Sequence, residues 1–381
     1  MTGTRRPGAA VDHALEHNDG GNSSRVTRGG LEGARPGREA LPGAGRPTGQ
    51  PRAARRRRRK GRGREELSSY YGLPVINRPV WEAREIAGYL YLGGLAGASS
   101  VLGAGAQMTR RPTLERGSKA VAAGAAGLSL VALIKDLGRP ERFLNMLRVF
   151  KPTSPMNIGS WLLSGFVPAT LAAAASELTG IATQIGVLAS GVAAVLGPAV
   201  ASYTAVLISD TAVPAWHEAR REMPVLFVAS AGSAAAGAGL LCASERDAGP
   251  ARRLALATVA ADLAVESRLE RRLEPEVAAA YRETKAHRLL QSARVLSIAG
   301  AAGALIAALA RPGSVASRAT RAGTSRVPRS GTRRGLQAAS GAALMAASAC
   351  TRFGVFQAGM ASAADPAATI GPQRRRISAS D

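Results

Sequence analysis

Apolar residues fall into eight long runs separated by polar stretches, with a long polar segment in front. The runs cover about 86–108, 118–134, 158–176, 181–209, 223–243, 252–267, 289–310 and 336–351. A bilayer core of about 30 Å takes ~20 helical residues, with ~17–25 tolerated. Five of the eight runs meet that length well, and the second is at its lower limit. The sixth (LALATVAADLAVES) is short and carries Asp262 and Glu266; the eighth stops at Arg352 unless Phe353–Ala358 extends it. The runs are rich in Ala, Gly and Leu and do not alternate, and lipid admits only helices or closed barrels, so strands are disfavoured. Gly93, Gly94, Gly97, Gly103 and Gly105 let helices approach closely. The pattern predicts an all-α integral membrane protein, an eight-transmembrane-helix bundle over residues 70–360 with a C-terminal tail over 361–381. The connections 135–157 and 268–288 are too short for a soluble core.

Charge changes this picture less than its size implies. Lys and Arg number 50 against 26 Asp and Glu, a formal net charge of +24. Residues 1–69 hold 16 basic and 7 acidic residues, and 311–335 hold seven arginines and no acid, so these segments supply +9 and +7, or 16 of the 24. Residues 1–69 are rich in Gly, Arg and Pro, including RRRRRK at 55–60, and cannot bury enough apolar surface to offset their ordering entropy. They read as a disordered basic tail close to anionic lipid, at about 1 kcal/mol per basic residue near the surface. An RNA-binding arm is the soluble-protein alternative; aromatic content of 4% disfavours nucleic acid as a partner. Cys242 and Cys350 cannot form a CxxC metal or iron–sulfur site, and the four histidines lie outside the apolar runs, which disfavours an intramembrane bis-histidine haem. Arg5–Arg6 lead into polar sequence, so no signal peptide is expected.

Eight spans place both termini on one side, together with the loops 135–157, 209–222 and 268–288. Those loops hold 13 Lys and Arg against 14 opposite, so the loops alone do not orient the chain. The basic tail favours cytoplasmic termini in the cell membrane. Three polar clusters share the terminal face by parity: the approach to span one with YLYLGGLAGAS, the loop DLGRPERFLNMLRVFKPTSPMNIGSW, and YTAVLISDTAVPAWHEARRE after span four.

DLGRPERFLNMLRVFKPTSPMNIGSW, YLYLGGLAGAS, SDTAVPAWHEA and TRFGVFQAGMAS resemble the NrfD/polysulfide reductase membrane-anchor family, over about residues 70–310 and 336–373. The resemblance implies an eight-helix subunit without haem or an iron–sulfur cluster of its own. It would bind menaquinone or another quinone and exchange electrons with a ferredoxin-like iron–sulfur partner. That partner would be joined to a catalytic subunit, often a molybdopterin enzyme. The tail and the 311–335 loop have no counterpart in that pattern.

A quinone needs donors to its carbonyl oxygens, a protonatable group and an apolar slot. Tyr203 can donate, His217 or Asp210 can relay protons, and Asn157, Ser160 and Trp161 open span three and can close the slot. Trp81, Trp161 and Trp216 equally sit where interfacial aromatics anchor helices. Asp136 and Arg139 either reach the quinone or pair to shape a GRP turn, and Ser154 with Pro155 can simply cap span three. Glu85 either serves the pocket mouth or pairs with Arg84. Asp262 and Glu266, one turn apart, form a candidate proton path, the alternative being a tilted helix with Glu266 paired to Arg268 or Arg294. A transporter or ion carrier without redox role is the rival from another class, marked by Gly/Pro-interrupted spans; Gly197–Pro198 in span four has no matching proline in span eight.

Overall fold

The computed structural model describes residues 25–27, 30–32, 75–76, 79, 83–136, 144–282, 284–309 and 330–378. The chain divides into two units, Met1–Leu73 and Pro74–Asp381. In the first, β1 (Arg25–Thr27) pairs antiparallel with β2 (Gly30–Glu32), placing Val26 opposite Leu31. The rest of the expected basic tail lies outside the described residues, as does the 311–329 part of the Arg-rich loop.

The second unit is helical. Its order is α1 (Ala83–Met108), α2 (Pro112–Asp136), a 3-10 turn (Leu144–Leu147), α3 (Pro155–Thr179), α4 (Thr183–Ser209), α5 (Pro214–Glu218) and α6 (Met223–Cys242). There follow α7 (Gly249–Arg272), α8 (Pro275–Arg282), α9 (Lys285–Leu309), α10 (Ser330–Ala364) and α11 (Pro366–Ser378). Proline fixes many of the starts. Pro112, Pro155, Pro214, Pro224, Pro250, Pro275 and Pro366 occupy the first or second helical position, where a missing N–H costs nothing. Gly180 ends α3 in the left-handed conformation (φ 70°), its N–H donating to the Ser176 carbonyl at 2.9 Å. Ser154 does stand at the N-cap of α3 ahead of Pro155, but its hydroxyl makes no capping bond.

The eight long helices pack as two rings of four. α1, α2, α3 and α4 form the first, α6, α7, α9 and α10 the second, and α1 against α6 joins them. Each ring closes on a glycine pair. A Cβ on Gly97 of α1 would lie 2.3 Å from the Gly197 carbonyl oxygen of α4, and one on Gly237 of α6 would lie 2.5 Å from that of Gly341 in α10. Backbone thus meets backbone where the first and last helix of each ring cross. Gly94 faces Arg352 and Gly103 faces Ser118, whereas Gly105 has open space before it, so the expected close approach fails at Gly105.

Six of these helices are long and apolar enough to cross a membrane: Glu85–Met108, Pro112–Lys135, Pro155–Thr179, Thr183–Ser209, Met223–Cys242 and Lys285–Leu309. α7 and α10 are not among them: α7 carries many charged residues, and the stretch of α10 around Arg352 is interrupted by Ser, Thr, Gly and Gln and is less apolar. The eighth run does not stop at Arg352. α10 continues through it to Ala364, and part of the expected C-terminal tail is helix α11. Arg375 of α11 pairs with Glu274 and Glu276, and Arg376 with Glu218, fastening that helix to α8 and α5.

Candidate functional site

Residues of all three polar clusters meet at one end of the first ring, the first contributing through the start of α1. They enclose a cavity of about 290 Å³ lined by Tyr203, Leu207, Ile208, Asp210 and Thr211 of the α4 end, Met156, Ser160 and Leu163 of α3, Met146, Leu133, Ile86 and Tyr89. Tyr203 reaches it because α3 has no side chain at Gly159. A Cβ there would lie 2.3 Å from Tyr203 Cε2, so the phenol lies flat on the α3 backbone. Among the described residues the Tyr203 hydroxyl has no hydrogen-bond partner, leaving it available as a donor. Ser160 Oγ donates to the Met156 carbonyl at 3.0 Å and approaches Met146 Sδ at 3.4 Å.

The other expected quinone residues stand around this cavity. Asn157 holds the loop that forms one wall: its Oδ1 accepts the Lys151 N–H at 2.6 Å, and its Nδ2 donates to the Met146 and Val149 carbonyls at 2.8 and 2.9 Å. Its amide is therefore engaged with the backbone and is not part of the lining. Trp161 is 41% exposed, edge-on to Phe150 at 6.0 Å, with its N–H 3.4 Å from the Val149 carbonyl, which fits an interfacial anchor. His217 is exposed and outside the lining, its Nδ1 3.3 Å from the Ser209 carbonyl. Glu85 is exposed next to Ile86. The side chain of Asp136, and Arg139 and Trp81 entirely, lie outside the described residues.

Trp216 corrects an expectation. It is no interfacial anchor, since its side chain is fully buried. The indole N–H donates to the Val355 carbonyl at 2.9 Å, and the ring rests on Gly359, where a Cβ would come within 1.9 Å of Trp216 Cε2. Beside it, Tyr281 of α8 donates to the Ala215 carbonyl at 2.9 Å; burial pushes this phenol well above its usual range.

Asp262 and Glu266 lie in the other ring. Glu266 accepts from Arg294 Nε at 3.1 Å, and Arg294 also pairs with Glu270 at 2.9 Å. Of the two pairings considered, Arg294 is thus the partner, while Arg268 approaches Glu222 at 3.6 Å. A second cavity, about 400 Å³, is lined by Glu266, Glu270, Arg294, His287, Tyr281 and leucines of α6, α7 and α9. Arg352, in the sequence the end of an apolar run, is buried in mid-helix. Nη2 donates to the Phe227 carbonyl at 2.6 Å and the guanidinium lies 3.7 Å above the Phe227 ring. The signal that could have found it is the apolar sequence on both sides of the arginine.

No curated protein matches the chain. A family model, described as Polysulphide reductase, NrfD, matches residues 75–254, which span α1 to the opening turns of α7 and so include the whole first ring. The resemblance carried by DLGRPERFLNMLRVFKPTSPMNIGSW and SDTAVPAWHEA is thereby shown: residues 75–254 match the polysulphide reductase NrfD family.

Proposed function

We propose that the chain is a quinone-reactive membrane anchor of a multisubunit oxidoreductase, exchanging electrons between a quinone and an iron–sulfur partner. The observation that carries this reading is the Tyr203 cavity, built within the segment that matches the NrfD family. Its residues fit a quinone ring. The hydroxyl of Tyr203 is an unengaged donor, Asp210 is a protonatable group at the mouth, and Ile86, Leu133, Leu163, Leu207 and Ile208 make an apolar slot. At about 290 Å³ the space is at the small end of ligand pockets, enough for a ring whose tail leaves into lipid. When bound, the quinone would supply two-electron chemistry coupled to protons. Tyr203 would hold one carbonyl oxygen, Ser160 and the Asn157-braced loop would shape the slot, and Asp210 with His217 would pass protons to water.

Eight crossings, with cytoplasmic termini, belong to the same reading. α7 falls within the length range of the others and α10 exceeds it. Their mid-helix charges Asp262, Glu266 and Arg352 are buried, as is Arg252, and exposed ones such as Arg253, Arg268, Arg271 and Arg334 lie towards the helix ends. Charges that face the bundle do not meet lipid, so they do not bar a helix from spanning. The partner would dock on the face of the 144–154 segment and α5. The transporter alternative relied on interrupted spans, whereas α3 and α4 run unbroken through Pro168 and Pro198.

Tyr203→Phe tests the proposal in membranes containing the assembled complex. Loss of one hydrogen bond, about 1 kcal/mol, should lower quinone-linked electron transfer several-fold while the complex still assembles. Wild-type turnover in that variant would remove Tyr203 from the site.

A further inference from the structure

The polar interior of the second ring continues beyond the Glu266–Arg294 pair. One turn deeper on the same face of α7, Asp262 is 3% exposed and its Oδ1 has no hydrogen-bond partner. Across from it Arg352 is 1% exposed, and its Nε and Nη1 have none either. The two lie within electrostatic reach of each other, with Tyr91 of α1 beside Arg352, but without a direct ion-pair contact. Opposite charges held in an apolar bundle with three unpaired polar atoms need a further partner. Water, which makes two to four hydrogen bonds in such places, fits that geometry.

A cavity approaches these groups from the α8 side. The cavity of about 400 Å³ reaches Glu266, and its wall at the α8 end carries Arg282, His287 and Gln291. Glu266 and Asp262 are four residues apart, about 6 Å along the axis. Below Asp262 on the same face, Thr258 is fully engaged: its hydroxyl accepts from Ser233 at 3.1 Å and donates to the Leu254 carbonyl at 2.7 Å. Around it Val259, Ala255, Leu240 and Leu344 belong to one apolar cluster.

We propose that this cavity is a water inlet through which Asp262 exchanges protons with the aqueous phase on the α8 side, and with that phase alone. A hydronium ion gives its proton to the Asp262 carboxylate and leaves as water; the reverse step returns the proton. Arg352 is a positioning residue that holds the carboxylate and its water. The groups facing Asp262 are Glu266 on α7, Arg294 on α9, Arg352 on α10 and, through Arg352, Tyr91 on α1. The only titratable residue of α6 is Cys242, at its far end. This site is separate from the Tyr203 cavity and does not depend on quinone binding.

The test uses the full chain in proteoliposomes, with Cys242→Ser and Cys350→Ala as background. Val259→Cys, Asp262→Cys and Glu266→Cys are each treated with a membrane-impermeant thiol reagent from either side. Positions 266 and 262 should react from the α8 side at least tenfold faster than from the other, and 259 from neither. An unreactive cysteine at 262, or equal rates from both sides, would overturn the inlet. The second measurement starts from the wild-type chain and uses only near-isosteric variants. Infrared spectra of the wild-type chain in lipid nanodiscs should show a carboxylic acid band that shifts on transfer to D₂O, a band lost in Asp262→Asn and kept in Glu266→Gln. A band that fails to exchange, or no such band at all, would equally sink the proposal. Neither readout involves quinone turnover, so failure here is distinct from failure of the Tyr203 reading.

Discussion

Side chains here are placed as much by missing atoms opposite them as by their own chemistry. Tyr203 enters its cavity over Gly159, and Trp216 packs over Gly359. In Gly159→Ala the added methyl meets the phenol, and overpacking of this kind costs about 1–3 kcal/mol. The expected result is a chain that assembles, unfolds at lower temperature, and has reduced quinone-linked turnover as Tyr203 is displaced; thermal melting and turnover check both. Trp216→Ala should cost more, about 3–5 kcal/mol, because a large buried ring is removed with its hydrogen bond. Trp161→Ala, at a half-exposed ring, should fall well below that. Equal losses at the two tryptophans would contradict the burial difference. The motif SDTAVPAWHEA was legible, but the role of its tryptophan was not, because α10 is more than a hundred residues away in sequence.

At the level of elements, loops and helix ends are tied across the bundle by short polar staples. Asp247 accepts the Thr113 hydroxyl, at 2.5 Å, and its backbone N–H at 3.0 Å, joining the α6–α7 loop to the start of α2. The Thr113 hydroxyl holds the Asp247 carboxylate below its ordinary range. A depressed carboxylate contributes stability that is present above the unfolded value near 3.9 and lost as pH falls through the folded one. The melting temperature of the wild type should therefore drop more between pH 5 and about 3 than that of Asp247→Asn; parallel curves would remove the staple. α11 offers a second case. Reversing Arg375 and Arg376 to Glu sets like charges against Glu274, Glu276 and Glu218, and the segment after Ala364 should become sensitive to protease, seen as early trimming on a gel.

For the whole molecule, the two rings share one plan, each closing on a glycine crossing between its first and fourth helices. Gly97→Leu should prevent accumulation of folded chain, whereas Gly105→Ala, facing open space, should be tolerated; expression in membranes distinguishes them. The number of crossings is testable through α7. Reporters at residues 246 and 284 should lie on opposite sides of the membrane, and the same side for both would leave α7 on the surface. No count of apolar residues decides this, since length and hydropathy mark six helices and leave out α7 and α10.

Sequence by itself determined the helical class and the rough positions of the eight long helices, most closely for the first, third, fourth, fifth and seventh, while the last runs well past its apolar stretch to Ala364. These follow from local quantities: apolar run length and proline and glycine punctuation. It also carried the family motifs of residues 75–254. Only the tertiary structure decided which polar residues meet. Tyr203 and Asp210 share a cavity while Asn157 braces its wall, Trp216 is buried rather than interfacial, and Arg352 faces Asp262 instead of ending a span. Each of these depends on which face of one helix opposes which face of another. That pairing is set by packing between residues distant in sequence, and a charge inside a bundle looks identical, in the sequence, to one exposed to lipid.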